Sequence, residues 1–177
     1  MLTFARVATC IALIFIAGLA MSQTQKKLPI AVQKDLAEMV KMCKDVGGKP
    51  MKSPDLLQIA DLTGDGLPDF VVDQGVFNCN GAASLFSGSG GSQMSAYVGT
   101  PDGQAFQAFS SGSFGVKVDK TSKPAKLQVL VGGAMCGQRI TTNMSRSNYK
   151  SCWRPVIWDA KRKKMDFAPV SQVQFIQ

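Results

Sequence analysis

Four of the chain's twelve acidic residues fall in one stretch of 13, Asp61-Leu-Thr-Gly-Asp-Gly-Leu-Pro-Asp-Phe-Val-Val-Asp73, although the net charge is +8. Carboxylates packed this densely repel one another unless a cation or bound protons offset them. Asp61, Thr63 and Asp65 place side-chain oxygens at alternate positions. The Leu67 carbonyl follows, and then the Asp69 carboxylate, directly or through water. Gly66 supplies the sharp turn between them. This is the donor pattern with which a short loop wraps calcium, at the weak affinities of extracellular modules, about 10⁻⁴–10⁻³ M. The competing arrangement is a metal-free turn in which the Asp side chains accept hydrogen bonds from nearby amides. Asp73, four residues on, reads as a strand-end or turn residue.

Two further stretches carry chemistry. The segment from Cys136 to Cys152, with its flank, holds Arg139, Arg146, Lys150 and Arg154 interleaved with Tyr149 and Trp153. A charge run, Lys161, Arg162, Lys163 and Lys164, lies downstream. Basic residues beside aromatics can grip a polyanion or stack on rings. A solvated hairpin turn is the plainer account of the charge run. The Gly/Ser-rich stretch Ser87–Ser92 could present amides to an anion. It has no phosphate-loop lysine and no following helix, and reads as a flexible surface loop.

Other chemistries are excluded. There is no histidine, which removes the usual zinc sites and every histidine-based nucleophile pair. No second pair of carboxylates is positioned for acid–base work, since Glu38 falls on a helix surface and the remaining acids are scattered. Nothing marks a nucleophile, so the expectation is a non-enzymatic protein.

The elements that must position these residues follow from periodicity. Val32, Leu36, Met39, Val40 and Cys43 recur at helical spacing after Pro29, and Gly47-Gly48 supplies a stop. A basic linker covers residues 49–53. Strands are expected at 56–60 and 70–72 on either side of the acidic loop, and at 82–86, 94–98, 105–109, 113–118, 127–131, 153–158 and 165–168. Pro101-Asp-Gly103 marks one turn between them. Short strands at this spacing predict a mainly β (α+β) domain, with one N-terminal helix packed on an antiparallel sheet or sandwich.

Residues 1–22 read as an export signal: Arg6, then an apolar run from Val7 to Ala20, then small residues ahead of Gln23. The run is short for a membrane span, which needs about 20 apolar residues. Residues 23–28 form a flexible leader and 29–177 a single β-rich domain. Loss of Arg6 would take the 20 basic residues to 19 against 12 acids, a net charge of +7. That charge favours anionic surfaces. Beyond the signal stand four cysteines, Cys43, Cys79, Cys136 and Cys152. An even count after an export signal predicts two disulfides in an oxidising compartment. Three pairings are possible. Cys43–Cys79 with Cys136–Cys152 is preferred, because each closes a moderate loop between adjacent predicted elements.

The acidic stretch lacks the twelfth-position glutamate of an EF-hand, where Val72 stands, and its flanks read as strands. It resembles instead the Asp-x-Asn-x-Asp-Gly-x-x-Asp calcium loops of FG-GAP and VCBS-type repeats. It departs from them at Thr63 and carries an irregular Pro68. Only one copy is present, too little chain for a propeller, so the resemblance implies a calcium loop without that fold. Residues 77–92, with Cys136-Gly137 and Cys152-Trp153, also resemble small exported bacterial proteins of no assigned function. That likeness implies a fold and no chemistry.

Taken together, the residues predict an exported, periplasmic or secreted, non-enzymatic binding module with one structural calcium ion and an anionic envelope polymer as partner. The alternatives are an interaction or inhibitor protein that docks another exported protein, or a hydrolase of an anionic polymer. No specific nucleic-acid partner is expected, nor any membrane span in the mature form.

Overall fold

A computed structural model describes residues 27–176. The predicted export signal, and residues 23–26 of the leader, lie outside the described residues. Helix α1 spans Ile30–Asp45. Eleven strands follow: β1 Lys49–Pro50, β2 Leu57–Ala60, β3 Asp69–Asp73, β4 Cys79–Asn80, β5 Ser92–Gly99, β6 Ala105–Ser113, β7 Gly115–Asp119, β8 Lys126–Gly132, β9 Ser151–Asp159, β10 Lys164–Phe167 and β11 Gln174–Phe175. All pairings are antiparallel.

The strands form two main sheets and a small clip. One sheet has the order β2-β3-β5-β6. The other runs β10-β9-β8-β7, with β11 also on β9, and β1 pairs with β4. The first sheet is covered on both faces. Alternation along β3 sends Phe70 and Val72 into a core shared with Val32, Met39 and Cys43 of α1. Val71 instead enters the core between the sheets, with Met94, Ala96, Leu127, Val129 and Val131. All five residues of β3 are buried, which is why its centre, Phe70-Val71-Val72, is an unbroken apolar run where an edge strand would alternate. The fold is thus three layers, helix on sheet on sheet, mainly β as expected.

Both expected disulfides form. Cys43–Cys79 joins α1 to β4, and Cys136–Cys152 joins the end of β8 to β9. Gly47, at φ +80°, ends the helix as predicted. Leu28 packs against the helix-side core, and its carbonyl accepts a hydrogen bond from Gln33.

Several elements depart from expectation, among them β11, where no strand is predicted. Residues 82–86 are turns, not a strand: Leu85 and Phe86 lie against the helix-side core, Phe86 edge-on to Phe77 at 5.0 Å. The basic linker contains β1, paired with the Cys79–Asn80 strand. The expected strand 113–118 is broken at Phe114, where the chain leaves β6 in one sheet and enters β7 in the other. Strands switch sheets through bulges or bends, and at this one Phe114 is 52% exposed.

Candidate functional site

The acidic loop connects β2 to β3, and its carboxylates do two jobs. Asp61 accepts from the Gly64 amide at 2.6 Å through Oδ1 and from Gly66 at 2.9 Å through Oδ2. Asp65 Oδ1 accepts from the Leu67 amide at 2.8 Å. Gly64 and Gly66 adopt φ of +83° and +81°, left-handed conformations that glycine enters freely. Asp69 is fully buried. Its Oδ2 accepts from Leu62 at 2.7 Å and Thr63 at 3.1 Å, and its Oδ1 from Gly99 at 2.9 Å at the end of β5. Burial raises the Asp69 carboxyl above its ordinary value, and the three amide bonds pull it back.

The loop also touches the second sheet. The Ala125 amide donates to the Asp61 carbonyl at 2.8 Å. Asp61 and Asp65 line a cleft of about 730 Å³ with Lys120 and Lys123 of the β7–β8 connection, so the same cleft holds cations of the chain itself. The five expected calcium donors divide accordingly. Asp65 is exposed and Asp61 and Thr63 are half-buried; Leu67 is half-buried against a different cleft, and Asp69 is committed to amides. Among the described residues, no three Asp, Glu, Cys or His side chains converge as a metal cage would require. The donor set therefore fits a calcium ion in part: Asp61, Thr63 and Asp65 keep free lone pairs, whereas Asp69 would have to give up amides to join them.

The expected anion-binding residues also divide. Arg154 is structural: its Nε donates to the Ala168 carbonyl and its Nη1 to the Met135 carbonyl, both at 3.0 Å, and its guanidinium stacks on Phe167. Arg162 pairs with Asp159 at 2.6 Å and Asp166 at 2.7 Å, and Lys164 pairs with Asp166 at 3.0 Å. The Arg162 guanidinium holds the Asp159 carboxyl below its ordinary value, and the Lys164 ammonium does the same for Asp166. Lys161 and Lys163 stay exposed at the tip of the β9–β10 turn. Arg139, Arg146 and Lys150 lie before β9. The nine residues of β9, at about 3.3 Å each, put roughly 30 Å between the two groups. They do not share a face.

Two stretches that looked separate in sequence meet near the first group. Ser89 and Gly90 of the Gly/Ser loop, Phe114 at the sheet corner, Arg146, Tyr149 and Ser151 line one cleft of about 470 Å³. Its wall is well tied. The Cys136–Cys152 bridge closes the connection, Gln138 donates to the Asn148 carbonyl at 2.9 Å and accepts from the Lys150 amide at 2.8 Å. Arg146 opens a 3₁₀ turn, Arg146–Asn148, capped by Ser145. The Tyr149 ring lies so close to Gly133 that a Cβ there would meet it at 2.9 Å. Arg146 makes no ion pair among the described residues. Phe114 is a residue of this cleft that sequence spacing alone does not single out. The available signal was an aromatic set among small residues, Ser-Gly-Ser-Phe-Gly, inside an otherwise alternating strand.

No helix among the described residues is long and apolar enough to cross a membrane. No protein-family model matches the chain, and neither does any curated protein or solved structure.

Proposed function

We propose that this protein is a binding module of an oxidising compartment, taking an anionic ring-bearing ligand such as an acidic saccharide in the cleft between the Gly/Ser loop and Arg146. The observation that carries this reading is an uncompensated arginine beside an exposed aromatic. Arg146 has no carboxylate partner among the described residues, and Phe114 stands 52% exposed on the same cleft with Tyr149. A guanidinium offers a planar fork of donors to a carboxylate or sulfate, while an aromatic face takes a flat ring. The two disulfides support an oxidising compartment. Calcium is the structural part of the reading. Bound at the β2–β3 loop, it would be held by Asp61, Thr63 and Asp65, with Asp69 fixing the loop from within.

The test is a titration of the oxidised protein with size-defined uronate oligosaccharides at rising salt. Affinity should fall as salt rises. Arg146→Ala should weaken binding by about tenfold or more, since a hydrogen bond to a charged group contributes roughly 1.5–3 kcal/mol. Charge reversal at Lys161 and Lys163, at the far end of β9, should leave it within about twofold because the charges are more than a Debye length away. Unchanged affinity in Arg146→Ala would sink the assignment. Salt-tolerant retention of one exported protein would favour a docking role.

A further inference from the structure

Phe114 also lines a smaller pocket of about 150 Å³, together with Asp73, Gly75, Ser87, Gly91, Ser92 and Ser113 among others. It shares Phe114 with the anion cleft and differs from it in its other lining residues and in charge. Two features mark it as unfinished. Ser113 is 2% exposed, and its hydroxyl is the one buried side-chain polar atom without a hydrogen-bond partner among the described residues. Asp73 is 5% exposed, yet its carboxylate receives a single hydrogen bond, from the Gly75 amide at 3.0 Å, and no cation pairs with it among the described residues. Buried carboxylates ordinarily collect a counter-charge or several donors, because desolvating the charge is costly.

The pocket's oxygens are gathered closely. A Cβ at Gly75 would meet Ser92 Oγ at 2.4 Å and Asp73 Oδ1 at 3.2 Å, so both oxygens lie over this one glycine. Ser92 Oγ reaches the Ser113 carbonyl at 3.4 Å. Gly91, at φ +88°, brings its backbone so near that carbonyl that a Cβ would lie 2.5 Å from it. The lining therefore offers one negative charge and several neutral oxygens, with room for about five waters or one short alkylammonium.

We propose that this pocket is a subsite for a primary ammonium group. Such a group carries one positive charge, matching the single carboxylate, and three N–H donors, matching Asp73, Ser92 and Ser113. A divalent ion would demand more carboxylates. A quaternary ammonium has no N–H to give. Burial holds the Asp73 carboxyl above its ordinary value against one amide bond, and a bound cation would relieve that.

The experiment is an amide NMR titration of the oxidised protein with methylammonium chloride, with tetramethylammonium and sodium chlorides at matched ionic strength as controls. Methylammonium should shift the Gly75, Gly91 and Ser92 amides saturably, at millimolar concentrations, and neither control should. Asp73→Asn should abolish the response and Ser113→Ala should weaken it several-fold. If Asp73→Asn fails to fold, the Ser113→Ala result decides. Arg146→Ala should leave the ammonium response intact, so failure of the anion cleft and failure of this subsite are told apart. The proposal is overturned if no saturable shift occurs, if either control reproduces it, or if Asp73→Asn or Ser113→Ala responds as the parent does.

Discussion

Asp69 and Asp65 stand four residues apart in one loop and face opposite environments. Asp69, fully buried, satisfies three amides from two elements. Asn in its place keeps one oxygen and turns an N–H₂ toward amide donors, leaving at least one of them unsatisfied. The expected loss is about 2–4 kcal/mol, the scale of one or two buried donors left without partners. Asp65 is exposed and holds one amide, so Asp65→Ala should cost about 1 kcal/mol or less. Melting both variants with millimolar calcium and with chelator separates the structural role from the metal role. Calcium should raise the parent's melting temperature and should not raise that of Asp65→Ala. Asp73 adds a pH signature. Burial raises its folded carboxyl, so the folded state holds the proton more tightly than the unfolded one. Its contribution is therefore fully present below the unfolded value, about 3.9, and is lost as pH rises through the folded value. Asn lacks that loss. Asp73→Asn should gain on the parent between pH 3 and pH 7, read from denaturant midpoints. A gain at the cost of ammonium binding would be the usual trade between stability and a functional charge.

At the scale of elements, legibility tracked how local each signal was. The helix, its glycine stop and the strands flanking the acidic loop depend on spacing within a dozen residues, and they stand where the pattern puts them. The 82–86 stretch has strand-like composition, but Leu85 and Phe86 are taken by contacts with α1's core and Phe77. That outcome depends on residues far off in sequence. The Lys49–Pro50 strand exists because Cys43–Cys79 brings Asn80 beside it. The anion cleft was legible only in fragments. Arg146, Tyr149 and the Gly/Ser loop could each be marked, yet their meeting depends on the crossing from β6 to β7 at Phe114. Charge misled most. Arg162 and Lys164 lie within four residues of their partners Asp159 and Asp166, acids that the basic run overshadows, while the partners of Arg154, the Ala168 and Met135 carbonyls, stand 14 and 19 residues away and come near only in the fold.

For the molecule as a whole, the central sheet has one core on each face, and the two disulfides are divided between them. Cys43 and Cys79 belong to the helix-side core, whereas Cys136 and Cys152 belong to the core between the sheets. Loop length alone ranks the first bridge higher. Spans of 36 and 16 residues correspond to about 4 and about 3 kcal/mol in the chain-entropy picture. Location should matter more for where the loss is felt. Without Cys43–Cys79, α1 keeps its apolar face and a few hydrogen bonds, from Tyr97 to Asp35 at 2.7 Å, from Gln74 to Asp35 at 3.4 Å and from the Ile30 amide to Gln104 at 3.4 Å. Its amides should then exchange hydrogen faster while β8 and β9 stay protected. Without Cys136–Cys152, the connection bearing Arg146 and Tyr149 loses its tie to β9. Exchange should quicken at 137–150, and acidic-saccharide affinity should fall while α1 is unaffected. Hydrogen exchange on the two double Cys→Ala variants reads both patterns at once. Uniform loss of protection in both would mean the three layers open together, and the binding wall would then owe its shape to the whole fold.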